Sequence, residues 1–265
     1  MTTLAEMIGN VPTKLLLIGN PTSGKTTLLA TLLKNGYKLN IIDVDAKSRS
    51  LIYHVPPEYL DKVHVFEASW RNTANYQRIK NILHKGWYKK YGTTEDLGPI
   101  KEWTEKDVLV IDSLHYLSVV GLRHWLKENN KDEFAVSFDQ SIYGMMGKDI
   151  LTSIIGYILA SSIPCSVIVT SHIRYLEVEV GKHSMVMAAF PSAEGQMISK
   201  DISKPFNDIW EVDAKEDGSR YILTQYTGKL PRRCSVPLDV ISKEEKPDLG
   251  SMFERIQNAQ PKLEG

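Results

Sequence analysis

The chain has 265 residues, with 32 Lys plus Arg against 32 Asp plus Glu, and 42% of its residues are hydrophobic. That length can bury a sizeable core, and the balanced charge removes any global pull towards nucleic acid or membrane, so such a partner must be met by a local patch. The two cysteines, Cys165 and Cys234, have no metal-ligand spacing, and the first six residues lack a basic, apolar leader; a cytoplasmic protein with reduced thiols is expected.

After a short N-terminal segment with helical character, residues 14–18 read as a buried strand and residues 27–34 as a helix. Between them stands Gly19-Asn20-Pro21-Thr22-Ser23-Gly24-Lys25-Thr26, the pattern G-x-x-x-x-G-K-[ST] in the strand-to-helix context of a phosphate-binding P-loop. Glycines let the backbone wrap an anion, and the first amides of the helix face it with the positive end of the dipole. These eight residues and Thr27 are expected to hold the phosphates of a nucleoside triphosphate, with Lys25 on the β and γ phosphates and the Thr26 hydroxyl on Mg²⁺.

Further strands are expected at residues 38–45, 62–67, 108–112 and 165–170, with helices at 73–84, 114–125 and 151–160. Residues 86–103 read as an irregular lid or interface, and residues 129–144 as a loop. No charge occurs between Ile150 and Ser171, but Pro164 divides that stretch into a core helix and a core strand rather than a membrane span. Strand and helix alternate, which predicts an α/β fold with a parallel sheet and a site at the carboxyl ends of its strands. Beyond Arg174 two antiparallel hairpins are expected, around residues 181–183 and 215–219, and the tail 237–265 reads as charged and partly mobile, with a short helix at 252–256.

A second acid must hold the Mg²⁺ water shell at the end of an apolar strand, and Asp112 fits. The position after it is Ser113, so a base for the attacking water must come from another strand; Asp45 and Glu67 are both candidates, and Asp45 is favoured. His172 ends a strand where it can touch the γ phosphate. The basic cluster 229–233 offers Arg232 and Arg233 as a finger into a neighbouring subunit's site.

Residues 41–46, 108–113 and 170–174 together resemble the RecA-type ATPase core, and within it the phage-encoded AAA-type ATP-binding proteins, some of which act in single-strand annealing and recombination. Segments 190–195, 205–210 and 221–224 are similar to the C-terminal half of that family, and the resemblance spans residues 12–236. It implies a RecA-like P-loop NTPase with a mainly parallel sheet flanked by helices plus antiparallel C-terminal hairpins. The implied ATP-binding domain covers 1–236, with a core at 12–174 and an extension at 175–236. It also implies the cofactors ATP and Mg²⁺, ATPase activity, a homo-oligomeric ring or filament, and single-stranded DNA as partner in the host cytoplasm. Two residues depart from the family: Asp45 replaces Glu, and His172 replaces Gln. DNA contact is expected from residues 129–144 and 175–204, or from the basic and aromatic stretch 70–91, where Tyr76, Trp87 and Tyr88 offer stacking faces. Two rivals remain open: a small-molecule kinase, and a nucleotide-gated assembly protein with little turnover.

Overall fold

The computed structural model describes residues 11–133, 140–180, 183–226, 228 and 230–259. In chain order the elements are β1 (Lys14–Ile18), α1 (Lys25–Leu28) continued by a 3₁₀ helix (Leu29–Asn35), β2 (Lys38–Asp43), β3 (Val63–Glu67), α2 (Ala74–Lys85), β4 (Asp107–Asp112) and α3 (Leu114–Glu128). There follow α4 (Gln140–Asp149), a π-helical stretch (Ile150–Ile155), α5 (Gly156–Ile158), β5 (Ser166–Ser171), β6 (Ile173–Val180), β7 (His183–Pro191), α6 (Gln196–Asp201), β8 (Asp208–Ala214), β9 (Arg220–Leu223), β10 (Glu244–Glu245) and α7 (Leu249–Asn258).

Alternate residues of a strand face opposite sides, and β1 buries both. Leu16 and Ile18 enter one core, Leu15 and Leu17 the other. Such a strand needs partners on both edges, and the sheet order is β10-β9-β8-β1-β5-β4-β2-β3. The six strands from β8 to β3 run parallel, while β9 and β10 extend the sheet antiparallel. β6 and β7 form a separate antiparallel hairpin. On one face α2, α3 and the α4–α5 stretch bury Ile79, Leu117 and Ile154; on the other, α1, its 3₁₀ continuation and α7 bury Leu29, Leu32 and Phe253. The fold is therefore α/β, with a mostly parallel central sheet flanked by helices.

At the amino edge of the sheet, the buried Lys14 ammonium donates to the carbonyls of Ile158, Ile163 and Cys165 at 3.2, 3.0 and 2.9 Å. It ties β1 to the turn that follows α5. Burial lowers its pKa to about 8.

Several expectations change. The second strand stops at Asp43, two residues early, because the Asp43 carboxylate accepts from the amides of Lys47 and Ser48 at 3.2 and 2.9 Å and bends the chain away. Residues 86–103 are no lid: Trp87, Ile100 and Trp103 are buried in the core. Residues 140–144 belong to a helix rather than a loop, and 134–139 lie outside the described residues. The second expected hairpin, β8–β9, is part of the central sheet, since β8 pairs in parallel with β1. The tail is docked as far as residue 259: Leu249, Met252, Phe253 and Ile256 are buried, and Phe253 meets the rings of Tyr37 and Trp210 edge-on. The N-terminal segment 1–10, residues 181–182 of the first hairpin's turn and Lys229 fall outside the described residues. No helix among the described residues is long and apolar enough to cross a membrane.

Candidate functional site

The parallel strands β1, β2, β4 and β5 all end at one edge of the sheet, where Asp112 and the segments that follow the strands line a cleft of about 610 Å³. That is a common size for a small-molecule site. The loop after β1 curls tightly there. Gly19 donates its amide to the carbonyl of Ser171 at 3.2 Å, and a Cβ at Gly19 would lie 2.5 Å from the carbonyl oxygen of Val212. Gly24 adopts φ +92°, which side chains rarely tolerate, and a Cβ there would meet the Arg220 guanidinium at 2.5 Å. Glycine is therefore required by backbone close approach at Gly19 and by the left-handed conformation at Gly24.

Lys25 is buried and donates to the carbonyls of Gly19 and Asn20 at 2.8 and 2.9 Å. Burial lowers its pKa to about 8, against the opposing charges of Asp112 and Asp45. Thr26 donates to Asp112 Oδ2 at 2.8 Å, and Thr170, in the strand between β1 and β4, donates to Asp112 Oδ1. Burial pushes the Asp112 carboxyl upward, the two threonine hydroxyls oppose this, and the carboxylates of Asp43 and Asp45 add to it. The donor set suits Mg²⁺, which takes few protein oxygens and completes its shell with water and phosphate. Among the described residues no cluster of three or more His, Cys, Asp or Glu could hold a metal alone.

Asp45 lines the cleft, with its side chain 8% exposed and its amide donating to the carbonyl of Asp112 at 3.1 Å. Lys47 Nζ lies 3.1 Å from Asp45 Oδ2. His172 also lines the cleft, with Nδ1 3.5 Å from Lys25 Nζ. Burial and then the Lys25 charge lower its pKa from the ordinary 6.5. Above pH 6.5 the ring is neutral in both folded and unfolded chains; as pH falls below it, the unfolded chain takes up the proton first, so stability is lost. Urea unfolding midpoints should therefore drop between pH 7.5 and 5.5, and drop less in His172→Gln.

Three expected residues are elsewhere. Glu67 ends the outermost strand β3, beyond β2, and its side chain is 68% exposed, 4.0 Å from Arg49 and away from the cleft lining. Arg232 is no finger: it forms a buried pair with Glu211 at 2.8 Å. Arg233 donates to the carbonyls of Ser203, Lys204 and Phe206, closing the turn before β8. Breaking a buried pair strands a charge, so Arg232→Met should cost about 3–5 kcal/mol, read by chemical denaturation. The stacking surface in 70–91 also changes, because Tyr76 and Trp87 are fully buried and Lys80 pairs with Asp149.

The sequence reading missed Lys47, His115 and Arg220. His115, in the first turn of α3, faces the cleft 3.4 Å from Ser192 Oγ. Arg220 donates to Thr27 Oγ1 at 3.3 Å and lies between the cleft and an adjoining pocket of about 270 Å³ that is also walled by Leu28, His54 and Val212. Its only signal in sequence is its place after the Gly218 turn, at the start of β9. No protein-family model matches the chain, and no curated protein matches it in sequence.

Proposed function

We propose that the chain is a RecA-like P-loop ATPase that binds Mg·ATP and hydrolyses it. It works as a homo-oligomer on single-stranded DNA, in recombination, annealing or replication of the phage type and in the host cytoplasm. One observation carries this reading: Lys25, the Thr26–Asp112 pair, Asp45 and His172, which lie at the end of β4 or in the segments that follow β1, β2 and β5, line one cleft. Placing β5 between β1 and β4 sets Thr170 and His172 between the P-loop and Asp112, where a residue senses the terminal phosphate.

In this reading the amides of residues 22–26 and the Lys25 ammonium bind the phosphates, and the nucleobase enters the pocket beside Arg220. Thr26 and Asp112 would hold Mg²⁺, which when bound would supply charge neutralisation at the phosphate oxygens. Asp45 orients the attacking water and accepts its proton. His172, bonded through its chain to the hairpin β6–β7, passes the state of the γ phosphate to that hairpin; its neighbour Tyr175 already reaches Asn20 of the P-loop at 3.2 Å. The exposed Arg174, Tyr175 and Leu176 give the hairpin a surface for DNA.

ATP hydrolysis measured with and without single-stranded DNA, alongside mass by light scattering, tests the proposal. DNA-stimulated turnover by an oligomer is expected. ATP-dependent phosphorylation of a small acceptor would instead make the chain a kinase, and binding without turnover a nucleotide-gated assembly protein.

A further inference from the structure

Between β2 and the 3₁₀ helix Ser48–Tyr53 the chain makes a turn built for two side chains. Asp43, 1% exposed, anchors it through the amides of Lys47 and Ser48. Ala46 takes φ 61°, a left-handed conformation that costs a non-glycine residue on the order of 1 kcal/mol and that the Asp43 bonds enforce. The turn sets Asp45 and Lys47 side by side in the cleft, 3.1 Å apart. The Lys47 ammonium also stands 5.7 Å from the centroid of the Tyr116 ring, and Tyr116 stacks on Trp70 at 5.7 Å. A carboxylate and a braced aromatic face thus hold the ammonium from two sides.

We propose that Lys47 is a positioning residue for hydrolysis, holding the Asp45 carboxylate in the orientation that faces the attacking water. The inference rests on reading the site as an ATPase. The need is geometric: Asp is one methylene shorter than Glu, and the Asp45 backbone is fixed by the Asp112 carbonyl, so only the side-chain torsions remain to aim the carboxylate. The other cations of the cleft have partners of their own: Lys25 is held by the carbonyls of Gly19 and Asn20, and Arg220 donates to Thr27 Oγ1. Arg49, outside the lining, faces Glu67. In the step itself the water oxygen bonds to the γ phosphorus and its proton passes to Asp45. The bond from the γ phosphorus to the bridging oxygen breaks with its electron pair going to the β phosphate of ADP. Lys47 keeps its proton throughout, and Asp45 later releases the one it gained to solvent.

The test is a cycle of Lys47→Met, Lys47→Arg, Asp45→Asn and the double variant Asp45→Asn/Lys47→Met, with kcat and Mg·ATP affinity measured for each. Lys47 is 65% exposed, so the variants should fold, and their unfolding midpoints check this. Lys47→Met should lower kcat about 10- to 100-fold with affinity changed by less than about 2-fold, Lys47→Arg should restore most of it, and Lys47→Met should do nothing further on top of Asp45→Asn. An unchanged kcat, a full additive loss in the double variant, or a loss confined to affinity would overturn the proposal; the last outcome would make Lys47 a phosphate ligand. Turnover that needs Lys25 but not Asp45 would overturn it while leaving the ATPase reading standing. No wild-type turnover would remove both.

Discussion

Asp45→Asn should lower ATP turnover by at least about 100-fold while Mg·ATP affinity stays within a factor of about 2. The amide keeps the shape of the side chain but cannot accept the water proton, so under the proposed hydrolysis the chemical step would lose its base while the bound state keeps its contacts. Asp45 is suited to this role by position: it lies in the cleft, its amide is tied to the Asp112 carbonyl, and Lys47 flanks its carboxylate. Glu67→Gln is the matched control. Its side chain is exposed on the outermost strand, so turnover should be unchanged. Single-turnover phosphate release with equilibrium nucleotide binding separates the two effects.

Lys25→Met should weaken triphosphate binding by about 100-fold or more, equivalent to roughly 2.7 kcal/mol, and abolish turnover. Its ammonium is the buried cation of the loop at residues 19–26, and without it the proposed phosphate site loses its one buried positive charge among the described residues of the cleft. Stability should move the other way or not at all. Burial has already lowered the pKa of this group to about 8, so the fold disfavours its charge, and an apolar chain of similar length removes that cost. Calorimetric titration of Mg·ATP and a thermal melt of the same sample measure both halves.

The strand-loop-helix around residues 14–28, the strand ending at Asp112 and the places of Asp45 and His172 in the cleft were legible because they depend on local pattern and on the direction of a parallel sheet. Glu67 was misjudged because strand order is not local: nothing in residues 63–67 tells that β3 lies beyond β2 at the edge. Arg232 and Arg233 were misjudged for a related reason. Their partners, Glu211 and the carbonyls of 203–206, are 21 or more residues away in sequence and meet them only once β8 has joined the sheet. The docked tail was legible in part: Leu249, Met252, Phe253 and Ile256 follow helical spacing, but the charges between them masked it. Lys47 had a readable cue, a cation two residues after a candidate base, which becomes contact only through the left-handed turn at Ala46.

The central claim is that one cleft binds Mg·ATP and cleaves it. Phosphate release by the purified chain, measured in parallel with Asp45→Asn and Lys25→Met, tests it most directly. The wild type should release phosphate steadily, Asp45→Asn should release it at least about 100-fold more slowly with binding intact, and Lys25→Met should release none and bind about 100-fold or more weakly. Equal release by all three proteins, or no nucleotide binding by the wild type, would contradict it.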